Sequence, residues 1–342
     1  MKVAVIGATG AVGSEMIRTL EERRFPVDAF VPLASARSEG LPVVFRGEEH
    51  RVRMLTADAC RGVDVAFVSI GATASRELLP AIAANGTLCI DNSSAFRMDP
   101  DVPLVVPDVN ADALEGWPRP GIIAVPNCTT VAIVLAIAPL HRAATCTSLV
   151  VSSYQAVSGA GHKGVAELLE QVEKLRGDEE SLARPDVAAL ASGPVMGRPI
   201  AYNVVPKIGD VEPDGYTGEE TKMMAESRKI LSAPDLRVVA TSVRVPVVVG
   251  HSVSILAEFA RPFSVEDARA TLADAPGVTL MEGDEVPTPL DAAGGDGAVV
   301  GRIRQVPDRD DALVLFSCAD NLRAGAALDA VQIAERLYGG GS

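Results

Sequence analysis

The sequence predicts an α/β protein with two domains: a doubly wound, mainly parallel sheet, followed by an α+β domain whose sheet is largely antiparallel. Three observations predict this class. Over the first 125 residues, short apolar strands alternate with amphipathic helices, which is typical of βαβ units. A glycine-rich turn joins the first strand to the first helix. After about residue 145, long β-rich runs replace the alternation.

The individual elements follow from apolar periodicity and from turn residues. In the first half, the expected strands are Lys2–Gly7, Val27–Leu33, Val63–Ile70, Thr87–Asp91 and Ile122–Val125. The expected helices there are Ala11–Arg24 and Ala72–Asn85, and a small hairpin is expected at Pro42–Met54. In the second half, the expected strands are Cys146–Tyr154, Arg237–Val249, Ser252–Phe259 and Leu313–Cys318.

Helices in the second half are expected near Lys163–Arg176 and Gly218–Leu231, and a last helix at Leu322–Leu337. Ser264 and Asp267 have capping-box spacing, which predicts another helix from Ser264. The Gly/Pro-rich stretch Pro185–Gly209 is too long for an ordinary connection, so we expect a functional or interface loop there.

Composition restricts the class of function. A chain of 342 residues can form two domains with real cores. Its 48% apolar and 22% charged residues exclude a disordered, collagenous or coiled-coil protein. A net charge of −14 and only 4% aromatic residues argue against a broad surface for nucleic acid or anionic membranes. We therefore expect small-molecule partners, no nucleic acid and no membrane.

The cysteines indicate the compartment. Five cysteines without a CxxC pair or a Cys/His cluster argue against a disulfide scaffold and against a metal site. The chain opens on a strand pattern without signal-peptide features, and its longest apolar run, Val131–Leu140, is shorter than the ~20 residues that span a bilayer. We expect a cytoplasmic chain with reduced thiols and no bound metal.

A glycine fingerprint, Gly7-Ala8-Thr9-Gly10-Ala11-Val12-Gly13, follows a strand and opens a helix. In that context it predicts a Rossmann-type dinucleotide-binding domain, because the turn admits a pyrophosphate to a helix N-terminus. A tight turn without a ligand is the alternative. At the end of the second strand, Ser35, Arg37 and Ser38 stand where NAD-binding proteins carry an acid, which favours NADP. Arg37 could otherwise be a solvated loop charge.

Cys128 is the candidate nucleophile. It lies where a strand ends and an almost wholly apolar helix begins, so the helix dipole lowers the thiol pKa. A cysteine at such a junction is more often structural. The other four, Cys60, Cys89, Cys146 and Cys318, fall in apolar surroundings typical of inert thiols.

A thiolate that forms an acyl enzyme needs a proton-handling partner. We interpret His50 and His141 as structural or surface residues. His162 and His251 both stand at glycine-flanked junctions, and spacing alone does not choose between them.

Nine segments in order match one known family: Gly7–Gly13, Asn92–Arg97, Pro126–Thr130, Ser153–Gly159, Asn203–Pro206, Gly218–Met223, Val243–Val247, Gly250–Ser252 and Asp320–Arg323. On these motifs the chain resembles aspartate-β-semialdehyde dehydrogenases over essentially its full length. The resemblance implies reversible conversion of L-aspartyl-4-phosphate and NADPH to L-aspartate-4-semialdehyde, NADP and phosphate, through a thioacyl intermediate. That step belongs to the biosynthesis of lysine, threonine, methionine and diaminopimelate.

The resemblance also implies roles for individual residues. Cys128 would be the nucleophile, His251 rather than His162 the acid/base, and Gln155 would orient the intermediate. Substrate would be held by Arg97, Asn127, Glu219, Lys222 and Arg244, with Arg244 on the α-carboxylate, Glu219 on the ammonium, and Arg97 and Lys222 on phosphate. The cofactor NADP(H) would contact Gly7, Thr9, Gly10, Ala11, Val12, Gly13, Ser35, Arg37, Ser38, Ser158, Gly159 and Asn321.

Other interpretations of these residues stay open. Arg97 and Lys222 could be solvated charges, and Glu219 beside Glu220 could belong to an acidic helix start. Arg244 lies among valines in a strand, so it is either in a structural ion pair or at a carboxylate site.

The expected division is an NADP-binding domain of residues 1–127 completed by the helix 321–342, and a catalytic and dimerisation domain of residues 128–320. The resemblance implies a homodimer or a homotetramer. At a few positions the sequence differs from the residues that are common in the family, so a different acyl-phosphate substrate is a possible alternative. These positions are Thr241-Ser242, Val248-Val249 and Ala324. The rival classes are N-acetyl-γ-glutamyl-phosphate reductase and a non-catalytic NADP-binding paralogue. A short-chain dehydrogenase is excluded, because no tyrosine is followed by lysine four residues later.

Overall fold

The strands and helices of the chain come from a computed structural model that describes residues 1–117, 120–183, 186 and 193–339. The strands are β1 (Lys2–Ile6), β2 (Ala29–Ala34), β3 (Pro42–Phe45), β4 (Glu48–Arg51), β5 (Arg53–Met54), β6 (Val65–Val68), β7 (Leu88–Asp91), β8 (Ile122–Ala124), β9 (Cys146–Gln155), β10 (Arg237–Arg244), β11 (His251–Phe259), β12 (Val278–Leu280), β13 (Ala298–Gln305) and β14 (Ala312–Ala319).

The helices are α1 (Ala11–Glu22), α2 (Ala72–Ala84), α3 (Pro107–Asn110), α4 (Cys128–Ala144), α5 (His162–Lys174), α6 (Glu179–Ala183), α7 (Gly218–Ile230), α8 (Val265–Ala273), α9 (Pro289–Ala292) and α10 (Leu328–Tyr338). A π-helical segment, Arg323–Ala327, directly precedes α10.

The chain forms two compact units. The first unit comprises Met1–Ala138, Ala225–Asp235 and Leu322–Ser342, and the second comprises Pro139–Met224 and Leu236–Asn321. Residues 225–235 therefore pack with the first unit, although the expected functional division gave them to the second domain. The division into an NADP-binding and a catalytic domain stays a prediction about function.

A six-stranded parallel sheet with the order β5-β2-β1-β6-β7-β8 forms the centre of the first unit. Successive residues of β1 point into different cores: Val3 and Val5 join one apolar cluster, and Ala4 and Ile6 join another. The order reverses between β1 and β6, and in such sheets the carboxyl ends of the strands at this point form the ligand crevice. The predicted doubly wound class is confirmed.

A buried carboxyl interrupts the core that α10 packs into. Burial raises the pKa of Asp329 well above its usual range, and the nearby Asp108 carboxylate adds to that increase. Within the described residues, Asp329 Oδ2 has no hydrogen-bond partner. Keeping this carboxyl in the folded state therefore costs free energy as soon as the unfolded carboxyl ionises.

We expect Asp329→Asn to stabilise the protein by about 1 kcal/mol near neutral pH, because it removes a group that resists ionisation when buried. The unfolded carboxyl titrates at about pH 4, so the penalty is absent below that pH and grows as pH rises above it. Thermal unfolding should show a larger gain for the variant at pH 8 than at pH 5. A gain that did not change with pH would contradict this explanation.

The second unit contains a mixed six-stranded sheet with the order β10-β9-β11-β14-β13-β12. The pairs β11–β9, β11–β14 and β13–β14 are antiparallel, and the outer pairs β10–β9 and β12–β13 are parallel. The sheet is thus antiparallel at its centre, as predicted, with parallel edges. One face is buried, as Leu149, Val151 and Ile255 show, while the other leaves Val150, Tyr154 and Val239 exposed.

Several predicted elements match and others need correction. The hairpin at Pro42–Met54 and the Ser264 cap are confirmed, since Ser264 Oγ accepts the Asp267 N–H at 3.0 Å. The strand expected to run to Val249 ends at Arg244, because Pro246 and then Gly250, with φ of 96°, turn the chain into β11. The last helix begins as the π-helical segment rather than as one α-helix.

Part of the predicted loop Pro185–Gly209 lies outside the described residues. In its described part, most of the residues from 194 to 209 line a cavity of about 980 Å³ together with Arg244. Val205 exchanges two backbone hydrogen bonds with Arg244, at 2.8 and 2.9 Å.

Among the residues that the structure describes, none of the helices has the length and apolar character needed to cross a bilayer.

Candidate active site

The glycine turn of the first unit has the geometry that its sequence predicts. Gly7 has a φ of 89°, and a Cβ there would lie 2.1 Å from the Ser69 carbonyl oxygen. A Cβ on Gly13 would lie 2.1 Å from the Gly7 carbonyl oxygen. Gly10 precedes α1 without a side-chain cap, and the first turn of α1, which includes Ala11 and Val12, holds no acidic residue. The helix N-terminus therefore keeps backbone N–H groups for an anion.

The turn after β2 lies beside this loop. Ser35, Arg37 and Ser38 belong to or flank one 3-10 turn, and Ser35 and Arg37 are exposed. The Ser38 and Thr9 hydroxyl oxygens are 3.1 Å apart, so the turn and the glycine loop are linked. Two hydroxyl groups and a guanidinium near the glycine loop fit a ribose 2′-phosphate better than a 2′-hydroxyl.

Cys128 is the first residue of α4 and is partly exposed. The Asn127 side chain caps this helix, since its Oδ1 accepts the N–H groups of Thr129 at 2.9 Å and Thr130 at 3.3 Å. A thiol at the capped N-terminus of a helix is favoured as thiolate by the helix dipole. Asn127 thus fixes the helix start through its side-chain oxygen, and its predicted contact with substrate stays a prediction.

The remaining cysteines have a different environment. All four are buried, and burial raises the pKa of Cys60 to about 11, of Cys146 to about 12 and of Cys318 to about 11. Burial also raises the pKa of the Cys89 thiol. The prediction that these thiols are inert agrees with their burial.

The π-helical segment packs on the nucleophile. A Cβ on Gly325 would lie 2.8 Å from Cys128 Cβ and 2.9 Å from Cys128 Cα, so only glycine allows this approach. Arg323 holds the segment to α1, because its Nη1 donates to Glu22 Oε2 at 2.6 Å and to Glu15 Oε1 at 3.3 Å. The backbone around Cys128 is therefore fixed from the same helix that begins at the glycine turn.

Arg97 is buried in the first unit rather than solvated. Its Nε donates to the Val125 carbonyl at 2.9 Å, its Nη2 to the Asn92 carbonyl at 2.6 Å, and its Nη1 to Glu226 Oε1 at 3.0 Å. The other carboxylate oxygen of Glu226 accepts the Asn127 N–H at 2.7 Å. The structure thus brings two predicted substrate residues, Arg97 and Asn127, to one carboxylate.

Three predicted residues of the second unit meet at one edge of its sheet. Gln155 ends β9, Arg244 ends β10, and these strands are parallel, with Gln155 beside Arg244. His251 begins β11, which runs antiparallel to β9, so it starts at the same edge. Gln155 is buried and donates from Nε2 to Ser153 Oγ at 3.1 Å, and Arg244 Nη1 donates to the Ala156 carbonyl at 2.7 Å.

His251 is fully buried, whereas His162 is exposed at the start of α5. Its Nδ1 accepts the Ala156 N–H at 3.0 Å. Burial lowers the pKa of His251 well below its usual range, and the Arg244 charge lowers it further. A neutral ring that accepts at Nδ1 carries its proton on Nε2. That Nε2 has no hydrogen-bond partner in the described part of the chain, so the resting ring offers a buried donor.

Ser158, Gly159 and Asn321 support this edge. Asn321 Nδ2 donates to Ser158 Oγ at 3.0 Å, and Asn321 Oδ1 accepts the Gly250 N–H at 2.9 Å. Ser158 and Asn321 are buried and bonded within the unit, whereas Gly159 is exposed, and the predicted contact of all three with cofactor stays a prediction. Gly159 lies against the functional side chains: a Cβ there would be 2.8 Å from Arg244 Nη1 and 3.3 Å from His251 Nε2.

We expect Gly159→Ala to lower kcat/KM by about 10²-fold, because the methyl group displaces two side chains that need accurate placement. Folding should change less, since the flexible end of Arg244 can move to relieve the clash. Steady-state kinetics and thermal unfolding of the same preparations separate the two effects. Gly177→Ala is a poor control because its φ is 76°, whereas Gly71 has open space and an ordinary φ. Wild-type kinetics for Gly159→Ala, matching Gly71→Ala, would contradict the expectation.

Glu219 and Glu220 are distinguished by their partners. Glu220 is structural: its Oε2 accepts the Thr217 N–H at 2.7 Å and its Oε1 accepts the Ser242 N–H at 2.8 Å. Glu219 Oε2 accepts from Lys222 Nζ at 3.4 Å, and the Lys222 side chain is 38% exposed. Lys222 therefore keeps access to a ligand in solution.

Sequence reasoning missed two residues of the first unit, Glu226 and Gly325. Glu226 lies on the buried face of α7, where Met223, Ser227 and Ile230 are also buried, so an acid at an apolar position was a usable signal. Gly325 gave no such signal, because a glycine in an Ala-rich helix pattern has no distinguishing mark.

Comparisons with known proteins agree with this geometry. Residues 2–117 match the family model "Semialdehyde dehydrogenase, NAD binding domain", and residues 137–324 match "Semialdehyde dehydrogenase, dimerisation domain". The fold and the matched domains define a semialdehyde dehydrogenase.

Individual relatives narrow this class. The aspartate-semialdehyde dehydrogenase of Streptomyces akiyoshiensis is 49% identical over 338 residues, which are 98% of each chain. The crystal structure of aspartate semialdehyde dehydrogenase II complexed with ASA from Vibrio cholerae has 39% identity and a TM-score of 0.92, covering 100% of this chain and 99% of that one. The enzyme with NADP from Candida albicans has 25% identity and a TM-score of 0.74, covering 98% of each chain. The chain belongs to the aspartate-semialdehyde dehydrogenase family.

The expected family, fold class and class of cofactor are therefore confirmed. The roles of single residues remain predictions.

Proposed function

We propose that this chain carries out the NADPH-dependent reductive dephosphorylation of L-aspartyl-4-phosphate to L-aspartate-4-semialdehyde, reversibly, through a thioacyl intermediate on Cys128. The observation that carries the proposal is the contrast among the five thiols. Cys128 alone is partly exposed at a capped helix N-terminus, whereas the other four are buried. The family assignment places the reaction in the aspartate pathway of amino-acid biosynthesis.

In the direction of reduction, the Cys128 thiolate attacks the acyl carbon, a C–S bond forms, and the C–O bond to phosphate breaks. The leaving phosphate carries two negative charges, and Arg97 and Lys222 are the cations assigned to it. NADPH, when bound, supplies the hydride that reduces the thioester carbon. The oxyanion formed there collapses to the aldehyde as the C–S bond breaks and the thiolate returns.

His251 has a defined part in these steps. Its Nε2–H is a neutral, buried donor, and a donor of this kind stabilises an oxyanion without giving up its proton. The acid/base role implied by the resemblance would require the opposite tautomer or a charged ring. We therefore assign His251 to oxyanion stabilisation in the resting protonation state.

The substrate's amino-acid end would be held by charge. Arg244 would take the α-carboxylate, since a guanidinium fork matches a carboxylate bidentately, and Glu219 would take the ammonium. Gln155, beside Arg244 in the sheet register, would orient the intermediate.

The residues of the first unit fit NADP(H). The uncapped start of α1 would hold the pyrophosphate, and the linked pair Thr9 and Ser38, with Ser35 and Arg37, would hold the 2′-phosphate. The absence of an acid before Glu39 in this turn supports NADP over NAD.

The direct test is the absorbance of reduced nicotinamide with aspartate semialdehyde, NADP and phosphate. We expect signal that depends on phosphate and is far weaker with NAD. Silence from a folded protein that binds NADP would overturn the proposal. The same assay with N-acetyl-glutamate semialdehyde tests the nearest rival, because that substrate lacks the ammonium assigned to Glu219.

We further propose that the protein is a homodimer formed through the exposed sheet face of the second unit, within the matched dimerisation domain. Val150 and Val239 are neighbours in register on this face, and the Tyr154 ring lies 6.1 Å from that of Phe316. Apolar side chains in such a continuous patch are typical of an interface. Light scattering should give the mass of a dimer, and a monomer would overturn this assignment. The cytoplasm is the compartment that five free cysteines support.

A further inference from the structure

We propose that Glu226 is a positioning residue that aims the Arg97 guanidinium at the phosphate of the substrate and holds it at a set place relative to the helix of the nucleophile. This inference rests on the proposed function of Arg97. It starts from the burial of Glu226, whose side chain is 1% exposed, and from its two partners in the first unit.

A buried carboxylate is costly unless it is paired and hydrogen-bonded. Glu226 satisfies both oxygens: Oε1 accepts from Arg97 Nη1 at 3.0 Å, and Oε2 accepts the Asn127 N–H at 2.7 Å. One rigid group therefore joins the cation assigned to phosphate to the residue that caps α4 directly before Cys128.

The Arg97 guanidinium has five N–H groups, and three of them have acceptors among the described residues. The two that remain are one on each terminal nitrogen. Both can donate to oxygens of a phosphate group. Since Glu226 takes one hydrogen of Nη1, it fixes which way the remaining hydrogen of that nitrogen points.

The same helix also holds the backbone that carries Arg97. Lys229, one turn after Glu226, donates from Nζ to the carbonyls of Arg97 and Asp99 at 2.8 Å and of Val102 at 2.9 Å. Lys229 secures the main chain of this segment, so Glu226 is left to set the direction of the side chain.

The test is Glu226→Gln, which keeps the shape and removes the charge. We expect the KM for phosphate, measured in the phosphorylating direction, to rise about tenfold, as the loss of one aimed charged contact implies. The KM values for NADP and aspartate semialdehyde should change less than about twofold, because neither ligand depends on this guanidinium.

The matched control is Glu335→Gln. Glu335 also forms a two-bond ion pair, with Arg23 at 2.6 and 2.8 Å, in the same unit. It should lose stability without changing any KM. If Glu226→Gln fails to fold, Glu226→Asp keeps the charge but is too short to reach both partners, and the same selective rise is expected.

Three outcomes overturn the inference. One is an unchanged KM for phosphate in a folded variant. Another is a parallel loss of all kinetic parameters that follows the loss of stability, which indicates a structural role. The third uses Arg97→Gln: if this variant leaves the KM for phosphate unchanged in an active enzyme, Arg97 is not the phosphate residue. An inactive wild-type enzyme would instead overturn the proposed function, and the two failures are distinct.

Discussion

Cys128→Ser should lower kcat by at least about 10³-fold, because a serine hydroxyl at the same helix N-terminus stays protonated and is a far weaker nucleophile. The helix cap from Asn127 does not involve the sulfur, so folding should be preserved. The affinity for NADP should also remain, since its assigned residues are elsewhere. Turnover of aspartate semialdehyde and an NADP-dependent thermal shift measure these two properties in one preparation.

Cys60→Ser is the matched control, since this thiol is buried in the same unit and its pKa is raised to about 11. It should lose stability but keep its turnover per folded molecule. Iodoacetamide should label Cys128 first in the native protein, because a buried thiol is protonated and inaccessible. Wild-type-like turnover by Cys128→Ser would remove the thioacyl intermediate from the mechanism.

His251→Asn should lower kcat by about 10²–10⁴-fold, the range in which a single oxyanion donor or proton-transfer group contributes. Asparagine is the sharpest replacement, because its side-chain oxygen can accept the Ala156 N–H as Nδ1 does. The variant therefore keeps the buried contact and loses the Nε2–H. His162→Asn is the control at an exposed position and should keep full activity.

The pH at which His251 takes up a proton distinguishes a neutral ring that donates a hydrogen bond from a histidine that acts as an ordinary base. The pKa of His251 is lowered by burial, so the folded ring stays neutral below the ~6.5 at which an unfolded histidine takes a proton. Stability should therefore fall as pH drops below about 6.5, and part of this loss should vanish in His251→Asn. NMR of the ring should show His251 neutral at pH 6, whereas a ring that titrates near 6.5 would contradict the assignment.

The sequence predicted the first sheet well because its parallel strands are buried on both faces. In β1 every residue from Val3 to Ile6 is fully buried, so the strand reads as a continuous apolar run. β13 was missed for the opposite reason: Gly301 and Arg302 interrupt its apolar pattern, and the register shifts there. That irregularity is set by the pairing with β14, so the apolar pattern of β13 itself does not reveal it.

The residues of the candidate site also differ in whether the local sequence reveals their role. Cys128 and the glycine turn are recognisable locally, because a helix terminus acts on whatever residue stands there. The role of Glu226 depends on Arg97, 129 residues earlier in the chain, and only folding reveals it. Gly325 is similar, since its need for a missing side chain comes from Cys128 and not from its own neighbours.

The first unit is built from three separate segments of the chain, which affects how it folds during synthesis on the ribosome. Its apolar core joins Val3, Val5 and Phe67 to Ala327, Val331 and Leu337 of the final segment. A nascent chain emerges from its N-terminus, so this core stays open until residues 327–337 have been synthesised. Gly325, which packs against Cys128, belongs to the same segment and is synthesised long after Cys128. Until that segment has been made, the growing polypeptide exposes apolar surface and an unshielded thiol, and chaperone binding during translation should concentrate on this unit.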